Sequence, residues 1–473
     1  MQSTHADFID DGIINDLLEK ARQASKEEAK NIILKAGDAK GLSPYEAAVL
    51  LHIEDEDILK EMYRTAEGIK EKIYGRRLVL FAPLYISNYC VNDCLYCGYR
   101  LSNKFERKRL SKAELEQEVR ILESLGHKRL ALEAGEDPQN CPLEYVLDTI
   151  KVIYDIKEAN GSIRRVNVNI AATTVEDYRK LKEAGIGTYI LFQETYHRDT
   201  YAAVHPSGPK HDYDYHTTAM DRAMTAGIDD VGIGVLFGLY DYKYEVLALL
   251  QHALHLEEAF GVGPHTISVP RLRPAPGTDY DTFPHLVSDG EFKKLIAILR
   301  MTVPYTGMIL STRETPQFRD DLLNVGISQI SVGSCTGVGG YTNEHLKSER
   351  VGSDIYNDTP QFQLEDHRTP DEVLKNVCES GFIPSFCTAC YRQGRTGDRF
   401  MSLAKTGEIQ NVCQPNAILT LKEYLEDYAS PEMKEAGEKA IDAHLSDIGD
   451  PKVRLLTEKR LKLIEGGKRD IYF

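Results

Sequence analysis

Two hydrophobic periods alternate along the middle of the chain. Between about residue 78 and residue 381, short runs of β-branched and aliphatic residues alternate with segments whose apolar residues recur three or four positions apart. The short runs have the composition of strands. They are LVLFAPLYIS, RLALEAG, RVNVNIAA, GTYILFQET, VGIGVLFG, HTISVPRLRP, MILSTRE and ISQISVGS. Eight strand-then-helix units predict an α/β fold, a parallel (β/α)8 barrel of the TIM type that is either full or slightly open.

The two flanks of this region have a different pattern. Residues 1–77 are predicted to be helical, and Ser43, Pro44 and Glu46 occupy the N-cap, first and third positions of a capping box. The segment after Ile383 is predicted to form a separate extension of helices and loops. The sequence therefore predicts three parts: residues 1–77, a barrel over 78–383, and a C-terminal region over 384–473.

Charge and composition narrow the function. The chain has 473 residues, 42% of them hydrophobic, and a formal net charge of -16, which disfavours binding to nucleic acid or anionic membranes. No run of eighteen apolar residues occurs, and the first twenty residues lack an apolar signal core. We therefore expect a cytoplasmic protein. Nine cysteines in a reducing compartment are not expected to form disulfides, and six of them fall into two groups, which indicates metal.

The first group follows the first predicted strand, in the stretch NYCVNDCLYCGYR. Cys90, Cys94 and Cys97 have the spacing C-x3-C-x2-C. A closed zinc site usually has four ligands, whereas three thiolates can hold three irons of a 4Fe-4S cube and leave the fourth iron open. The alternatives are an incomplete zinc knuckle or surface cysteines.

The second group lies in the tail. Cys387, Cys390 and Cys413 have the spacing C-x2-C-x22-C, and residues 384–420 contain no other Cys and no His. The missing fourth ligand favours a second three-cysteine cluster over structural zinc. The remaining cysteines are isolated and are predicted to be buried as small apolar residues: Cys141, Cys335 and Cys378.

Polar residues also fall where the predicted strands end. The loops at the C-terminal ends of the strands form the active face of such a barrel, so these residues are expected to converge in space. Besides the first cysteine group they are Gly135, Glu136, Asn169, Glu194, Arg271, Arg273, Arg313, Ser331 and Ser334.

The first cysteine group, with Tyr96 just before its last cysteine, resembles the radical S-adenosylmethionine (SAM) superfamily. That resemblance implies a 4Fe-4S cluster whose open iron binds SAM, and reductive cleavage of SAM to a 5'-deoxyadenosyl radical. Gly135 and Glu136 in LEAGED resemble the segment that receives the SAM ammonium, although Ala134 replaces its first glycine. The resemblance also implies three further candidates for SAM binding: Asn169, Glu194 and Gly234.

Longer segments narrow the resemblance. CVNDCLYC, FQETYHRDTYAAVHPSGPKHDY, SVPRLRPAPGTD, LSTRE and the tail cysteines are similar to the radical SAM tyrosine lyases of FeFe-hydrogenase maturation. Such a lyase cleaves the Cα–Cβ bond of L-tyrosine to p-cresol and dehydroglycine, and forms CO and cyanide at an auxiliary 4Fe-4S cluster. The first four segments are shared with the 2-iminoacetate synthases of thiamine synthesis. The tail cysteines therefore distinguish the maturation lyases from those synthases.

The resemblance further implies a labile extra iron on the auxiliary cluster, bridged by a free L-cysteine and held by one histidine. His265 begins the sixth predicted strand and would lie at the N-terminal mouth of the barrel, which the tail could cap. His197, His205 and His211 belong to the other mouth and fit less well. An electron donor such as ferredoxin or flavodoxin and other hydrogenase maturation proteins are the implied partners.

The carboxylate of L-tyrosine requires a bidentate cation. Arg313 is the first candidate, with Ser331 or Ser334 as a neighbouring donor, and Arg271 is the second. Two other functions remain open on the sequence alone. One is a 2-iminoacetate synthase that stops at dehydroglycine, and the other is a non-enzymatic Fe-S scaffold.

Overall fold

The computed structural model of the chain describes residues 5–159, 161–349 and 359–473. Four helices precede the first strand: α1 (Asp11–Ala21), α2 (Lys26–Ala36), α3 (Pro44–Leu51) and α4 (Glu56–Tyr74). The predicted capping box is confirmed at α3, where Ser43 accepts from the Glu46 backbone and the Glu46 side chain accepts from the Ser43 backbone. Each partner satisfies an amide that the helix itself leaves unpaired.

Eight parallel strands form a closed barrel, as predicted. They are β1 (Arg77–Ser87), β2 (Arg129–Ala134), β3 (Arg165–Asn169), β4 (Tyr189–Ile190), β5 (Val231–Gly234), β6 (Thr266–Ser268), β7 (Gly307–Leu310) and β8 (Gln329–Ser331). Each strand pairs with the next, and β1 pairs with both β2 and β8, which closes the sheet. A closed sheet has no free edge, so every strand is paired on both sides.

Helices surround the barrel. They are α5 (Lys112–Ser124), α6 (Leu143–Asp155), α7 (Val175–Glu183), α8 (Arg198–Val204), α9 (Tyr213–Thr217), α10 (Ala219–Thr225), α11 (Tyr242–Phe260), α12 (Asp289–Thr302), α13 (Pro316–Leu323), α14 (Gly340–Glu349) and α15 (Pro370–Glu379). Short 3-10 turns lie at Pro209–His211 and Tyr280–Thr282. Within the described parts of the chain, no helix is both long enough and apolar enough to span a bilayer.

A ninth strand, β9 (Ile383–Ser385), was not predicted. It pairs in parallel with Arg77, Leu78 and Val79, at the start of β1. Only three residues long and containing Pro384, it lacks the sequence pattern of a strand. β9 lies across the predicted boundary between barrel and tail, so the tail begins as part of the sheet.

The tail continues as helices packed on the outside of the barrel. They are α16 (Ala389–Arg392), α17 (Gly397–Thr406), α18 (Gln410–Asp427), α19 (Pro431–Ser446) and α20 (Pro451–Glu465). α18 is largely buried and contacts β9, β1 and α4. Its Glu423 accepts from Arg164 at 2.8 Å, and both side chains are buried. Just beyond it, the Tyr428 hydroxyl accepts from Lys128 at 2.7 Å.

The barrel approaches α18 closely at Gly126. This residue follows α5 with a φ of 89°, and a Cβ there would lie 2.5 Å from the Tyr424 ring. Gly126→Ala should therefore lower the free energy of unfolding by about 2–5 kcal/mol, the sum of the left-handed backbone cost and the overpacking cost. Denaturant unfolding measures this change.

Gly185→Ala is the matched control, because Gly185 has a φ of 77° but no atom within 4 Å of the added Cβ. It should cost only about 1–2 kcal/mol, the backbone cost alone. Equal losses for the two variants would show that α18 does not dock against Gly126 as described.

Candidate functional site

The C-terminal mouth of the barrel opens into a deep cavity. It is lined by most of the predicted site residues together: Cys90, Cys94, Tyr96, Cys97, Gly135, Glu136, Asn169, Glu194, Arg313, Ser331 and Ser334. They come from the ends of β1, β2, β3, β7 and β8 and from the segment after β4. The parallel barrel therefore brings together residues that are more than two hundred positions apart in sequence.

The cysteine loop is fixed against the segment after β2. The Val91 amide donates to the Glu136 carbonyl at 2.8 Å, and the Gly135 amide donates to the Ser87 carbonyl at 3.0 Å. A Cβ on Gly135 would overlap the Tyr89 carbonyl oxygen, so the close approach requires glycine. The Glu136 carboxylate accepts from the Asn92 side-chain amide at 2.6 Å.

Glu194 is held in an unusual backbone conformation. Its φ is 70°, in the left-handed region that non-glycine residues rarely adopt, and such strain persists mainly at functional sites. The side chain accepts from Lys210 at 2.7 Å, and the pair is largely buried. Lys210 also lies 5.8 Å from the centre of the Tyr96 ring, whose hydroxyl is 2.7 Å from His205 Nε2.

Burial controls the ionisation of the three thiols. It raises the pKa of Cys90, Cys94 and Cys97, that of Cys97 to about 11, while Lys210 acts in the opposite direction on each. The thiolate form therefore needs a cationic partner in direct contact. A cluster of soft iron centres supplies that partner, so this donor set fits a 4Fe-4S cluster.

Neither cysteine group is arranged around a single ion. In residues 5–159, 161–349 and 359–473, no three Cys, His, Asp or Glu side chains converge as the ligands of one metal would. Thiolates of a cube bind different iron atoms and need not converge in that way. The geometry is therefore compatible with clusters.

Arg313 and Arg271 are placed very differently. The Arg313 guanidinium lies 3.3 Å from the centre of the Phe362 ring, lines the cavity, and has no hydrogen bond or ion pair within the described residues. Arg271 lies outside the lining and is bonded to Glu314 and to Asp289, the latter at 2.7 Å. Of the two, only Arg313 is available to a ligand.

The other candidate residues differ in their surroundings. The Ser334 hydroxyl is buried without a hydrogen-bond partner among the described residues, while the Ser331 carbonyl accepts from Arg319 at 2.6 Å. Gly234 does not line the cavity, because β6 packs on it: a Cβ there would lie 2.8 Å from the Ser268 carbonyl oxygen. Close packing of β6 against β5 explains why position 234 is a glycine.

A second cavity lies at the N-terminal mouth of the barrel. Its lining includes the second cysteine group and His265, together with charged and aromatic residues: Cys387, Cys390, Cys413, His265, Arg77, Arg129, Asp230, Tyr391 and Phe400. β9 delivers Cys387, while α16 and α18 carry Cys390 and Cys413. The tail therefore reaches the mouth at which His265 was predicted to lie.

Hydrogen bonds order this second cavity. The Cys387 carbonyl accepts from Arg129 at 2.8 Å, and His265 Nδ1 lies 3.4 Å from Asp230 Oδ1. A hydrogen bond from Cys413, helped by Arg395, lowers the pKa of Cys390, whereas burial raises that of Cys387. The Cys390 and Cys413 thiols thus contact each other, and cationic side chains lie near all three thiols.

The remaining cysteines are not part of either cavity lining. Cys335 and Cys378 are buried, as predicted, whereas Cys141 is only half-buried. His197, His205 and His211 all lie in or beside α8, on the side of the first cavity.

Several cavity residues were missed by sequence reasoning. Glu133 and Lys210 line the first cavity, and Arg77, Arg129 and Asp230 line the second. The alternation of side chains along a strand could have identified Glu133 as an inward-facing residue. Glu133 lies two positions after Ala131 and four after Arg129, and both of these residues also face the barrel interior. Lys210 and Asp230 follow no such period.

Comparisons with known proteins agree with this geometry. Residues 84–253 match the radical SAM superfamily, and residues 268–383 match the biotin and thiamin synthesis associated domain. The 2-iminoacetate synthase of Salmonella typhimurium is 30% identical over 351 residues, which cover 74% of this chain and 88% of that enzyme.

Two solved structures are similar along almost the whole chain. One is HydG, a maturase of the [FeFe]-hydrogenase, with 64% identity, a TM-score of 0.95, and coverage of 99% of this chain and 100% of that one. The other is the FeFe-hydrogenase maturase HydG from Carboxydothermus hydrogenoformans, with 38% identity, a TM-score of 0.83, and coverage of 98% and 100%.

The closed parallel barrel with a three-thiol loop after its first strand defines a radical SAM enzyme. Within that superfamily, this chain belongs to the HydG family.

Cys94 is the most buried thiol of the first cavity, at 6% exposure. Cys94→Ala should reduce the iron bound at this cavity and bring 5'-deoxyadenosine formation to background, because a cube with two thiolates is not held. Iron analysis and chromatography of the SAM products measure both effects. Cys141→Ala, which removes a thiol outside both cavities, should change neither. Formation of 5'-deoxyadenosine at the wild-type rate by Cys94→Ala would refute the cluster assignment.

Proposed function

We propose that this chain is a tyrosine lyase that serves FeFe-hydrogenase maturation. In this proposal it cleaves the Cα–Cβ bond of L-tyrosine to p-cresol and dehydroglycine, and converts dehydroglycine to CO and cyanide. The observation that carries it is the pair of three-cysteine cavities at opposite mouths of one barrel. The names of the similar maturases and of the 2-iminoacetate synthase support it.

The first cavity is where the bond is cleaved in this proposal. Cys90, Cys94 and Cys97 hold the 4Fe-4S cluster, which with SAM supplies hydrogen-abstracting radical chemistry when bound. Polar groups on the walls bind and orient SAM: Tyr96, Gly135, Glu136, Asn169 and Glu194. Lys210 neutralises Glu194 and offers its remaining donors to the cavity.

Tyrosine is held by its carboxylate. Arg313 is the cation that we assign to this contact, because its guanidinium is free of protein acceptors within the described residues and Phe362 holds it in place. Ser334 can add a neutral donor, since its hydroxyl is buried and unpaired in the described structure. Ser331 lines the wall nearby, whereas Arg271 is fully occupied by Glu314 and Asp289.

The second cavity receives the fragment. Cys387, Cys390 and Cys413 hold the auxiliary 4Fe-4S cluster in this proposal, and His265 holds its extra iron together with a free L-cysteine. Dehydroglycine has the composition of one CO, one HCN and one water, so the conversion needs no external oxidant. An electron donor such as ferredoxin or flavodoxin is needed only at the first site, and other maturation proteins accept the product.

The two cavities follow each other along the inside of the barrel. Successive inward-facing residues of the same strands line the first and the second cavity: Phe81 and Val79, Ala131 and Arg129, Ile309 and Gly307, Ser331 and Gln329. Two residues of a strand span roughly 7 Å. The floors of the cavities are therefore about one layer of side chains apart, which supports transfer of a small fragment between them.

A 2-iminoacetate synthase that stops at dehydroglycine is the second candidate. It is favoured by the 30% identity to the Salmonella enzyme. It gives no reason for a second cavity lined by three cysteines and a histidine.

Arg313→Ala should weaken tyrosine binding by about 2–5 kcal/mol, the range for removing one partner of a buried charge pair. Equilibrium binding of tyrosine in the presence of SAM measures the loss. Arg273→Ala is the control, because Arg273 is at the same mouth but already donates to Glu314 at 2.6 Å. Normal binding by Arg313→Ala would refute the assignment of the carboxylate contact to Arg313.

Replacing Cys387 and Cys390 together by Ser should separate the two activities. SAM cleavage and p-cresol formation should stay near wild-type levels, because they depend on the other mouth, while CO release should fall to background. His265→Ala should act in the same direction but less strongly. Product analysis of one reduced, reconstituted sample measures 5'-deoxyadenosine, p-cresol, CO and cyanide together.

The reciprocal control is Cys94→Ala, which should lose every product. If the double variant folds and binds SAM but makes no p-cresol, the two-site proposal fails. If it keeps full CO output, the tail cysteines are structural and the second candidate function is favoured.

A further inference from the structure

Arg77 is a buried cation that has no hydrogen-bond acceptor within the described residues. It is the first residue of β1, is 8% exposed, and lines the second cavity beside the three thiols. Across the described residues its guanidinium has neither a hydrogen bond nor an ion pair, and its Nε is fully enclosed. Buried guanidinium groups are normally saturated with oxygen acceptors, so an acceptor outside the protein is expected here.

The neighbours of Arg77 do not supply that acceptor. Tyr74 lies beside it with a ring centre 5.9 Å from the guanidinium carbon. Asp230 is the acidic residue of the cavity lining, but it accepts from the Gly397 amide at 2.9 Å and lies 3.4 Å from His265. Arg129 adds a second guanidinium whose Nε is also unpaired in the described structure. The second cavity therefore has more hydrogen-bond donors than acceptors among its described residues.

The thiols can attract Arg77 but do not satisfy it. Their negative charge raises the pKa of Arg77 against the effect of burial. Sulfur is a weak acceptor, whereas the planar fork of a guanidinium matches the two oxygens of a carboxylate. The group that would satisfy the hydrogen-bond donors of Arg77 is thus a carboxylate placed next to the thiols.

The position of Arg77 along β1 indicates a source for such a carboxylate. Arg77 and Val79 line the second cavity, and Phe81 lines the first. Cα–Cβ scission leaves the carboxylate of tyrosine on dehydroglycine, so the fragment that leaves Arg313 is an anion. An unpaired cation two layers below Phe81 is placed to receive it.

We propose that Arg77 binds the α-carboxylate of an amino or imino acid in the second cavity. The proposal rests on the proposed function for the nature of the two possible ligands. One is the free L-cysteine that stays with the extra iron, and the other is dehydroglycine arriving through the barrel. Both present the same carboxylate chemistry to the guanidinium.

The first test compares L-cysteine with cysteamine, which has the same thiol and amine but no carboxylate. Each is titrated into reconstituted, iron-loaded protein while the electron paramagnetic resonance spectrum of the second cluster is followed. Wild-type protein should bind L-cysteine at least about thirtyfold more tightly than cysteamine, as expected for a buried charge pair. Arg77→Leu should remove this difference, and Arg77→Lys should restore part of it.

Arg76→Leu is the matched control. Arg76 adjoins Arg77 in sequence but is more exposed and paired with Glu71 at 2.5 Å, so its loss should leave the ratio unchanged. If Arg77→Leu keeps the wild-type ratio and also leaves the glyoxylate formed per p-cresol unchanged, the carboxylate is bound elsewhere and the proposal is wrong. If it weakens both ligands equally, Arg77 serves the cluster instead, and the proposal is again wrong.

The second test distinguishes the two ligands through glyoxylate, which forms with ammonia when dehydroglycine escapes and reacts with water. A rise of glyoxylate per p-cresol in Arg77→Leu would assign the contact to dehydroglycine. Loss of the cysteine preference without that rise would assign it to the resident amino acid. A wild-type protein that makes no p-cresol would refute the proposed function, whereas the comparison of cysteine with cysteamine would still decide the role of Arg77.

Discussion

Both cavities depend on the hydrogen bonding of β1. This strand pairs with β2 at its C-terminal half, with β8 over Val79–Phe81 and with β9 over Arg77–Val79. Its eleven residues span roughly 33 Å at the usual rise per residue. The loop that follows Ser87 carries the first cysteine group, while β9 leads from the other end to Cys387. One strand thus closes the barrel and sets the positions of both sets of thiols.

The second constraint is the burial of positive charge without protein acceptors. Arg313 and Arg77 each lie in a cavity with no bonded acceptor among the described residues, whereas Arg271 in the same barrel is paired with the carboxylates of Glu314 and Asp289. Leaving a buried guanidinium unpaired lowers stability, and the pairing of Arg271 shows that this fold can avoid it. Such local costs are expected where a ligand completes the arrangement.

The sequence predicted the barrel because eight strands keep their apolar runs and several helices keep their caps. It did not predict β9, since three residues with a proline have no period and depend on β1 for pairing. Gly234 was interpreted as a ligand-facing glycine, but its environment is set by β6 across the sheet. Arg271 and Arg313 both follow the ends of strands, so the sequence does not distinguish them as candidates for carboxylate binding. Only the residues that contact them in the folded structure make the distinction. Spacing made the cysteines candidates because Cys90, Cys94 and Cys97 lie within eight residues and Cys387 and Cys390 are three positions apart, although Cys413 lies on a separate helix.

The interior of the barrel differs from that of a filled TIM-type core. Bulky branched side chains normally occupy the inward-facing layers. Here the layer next to the second cavity includes Ala131, Ser268 and Ser331, which line the floor of the first. Small and polar side chains forgo packing energy, so the fold must be stabilised by its surrounding helices, by β9 and by α18. In the proposed function these small side chains leave room for a small fragment to pass from the first cavity to the second without leaving the barrel.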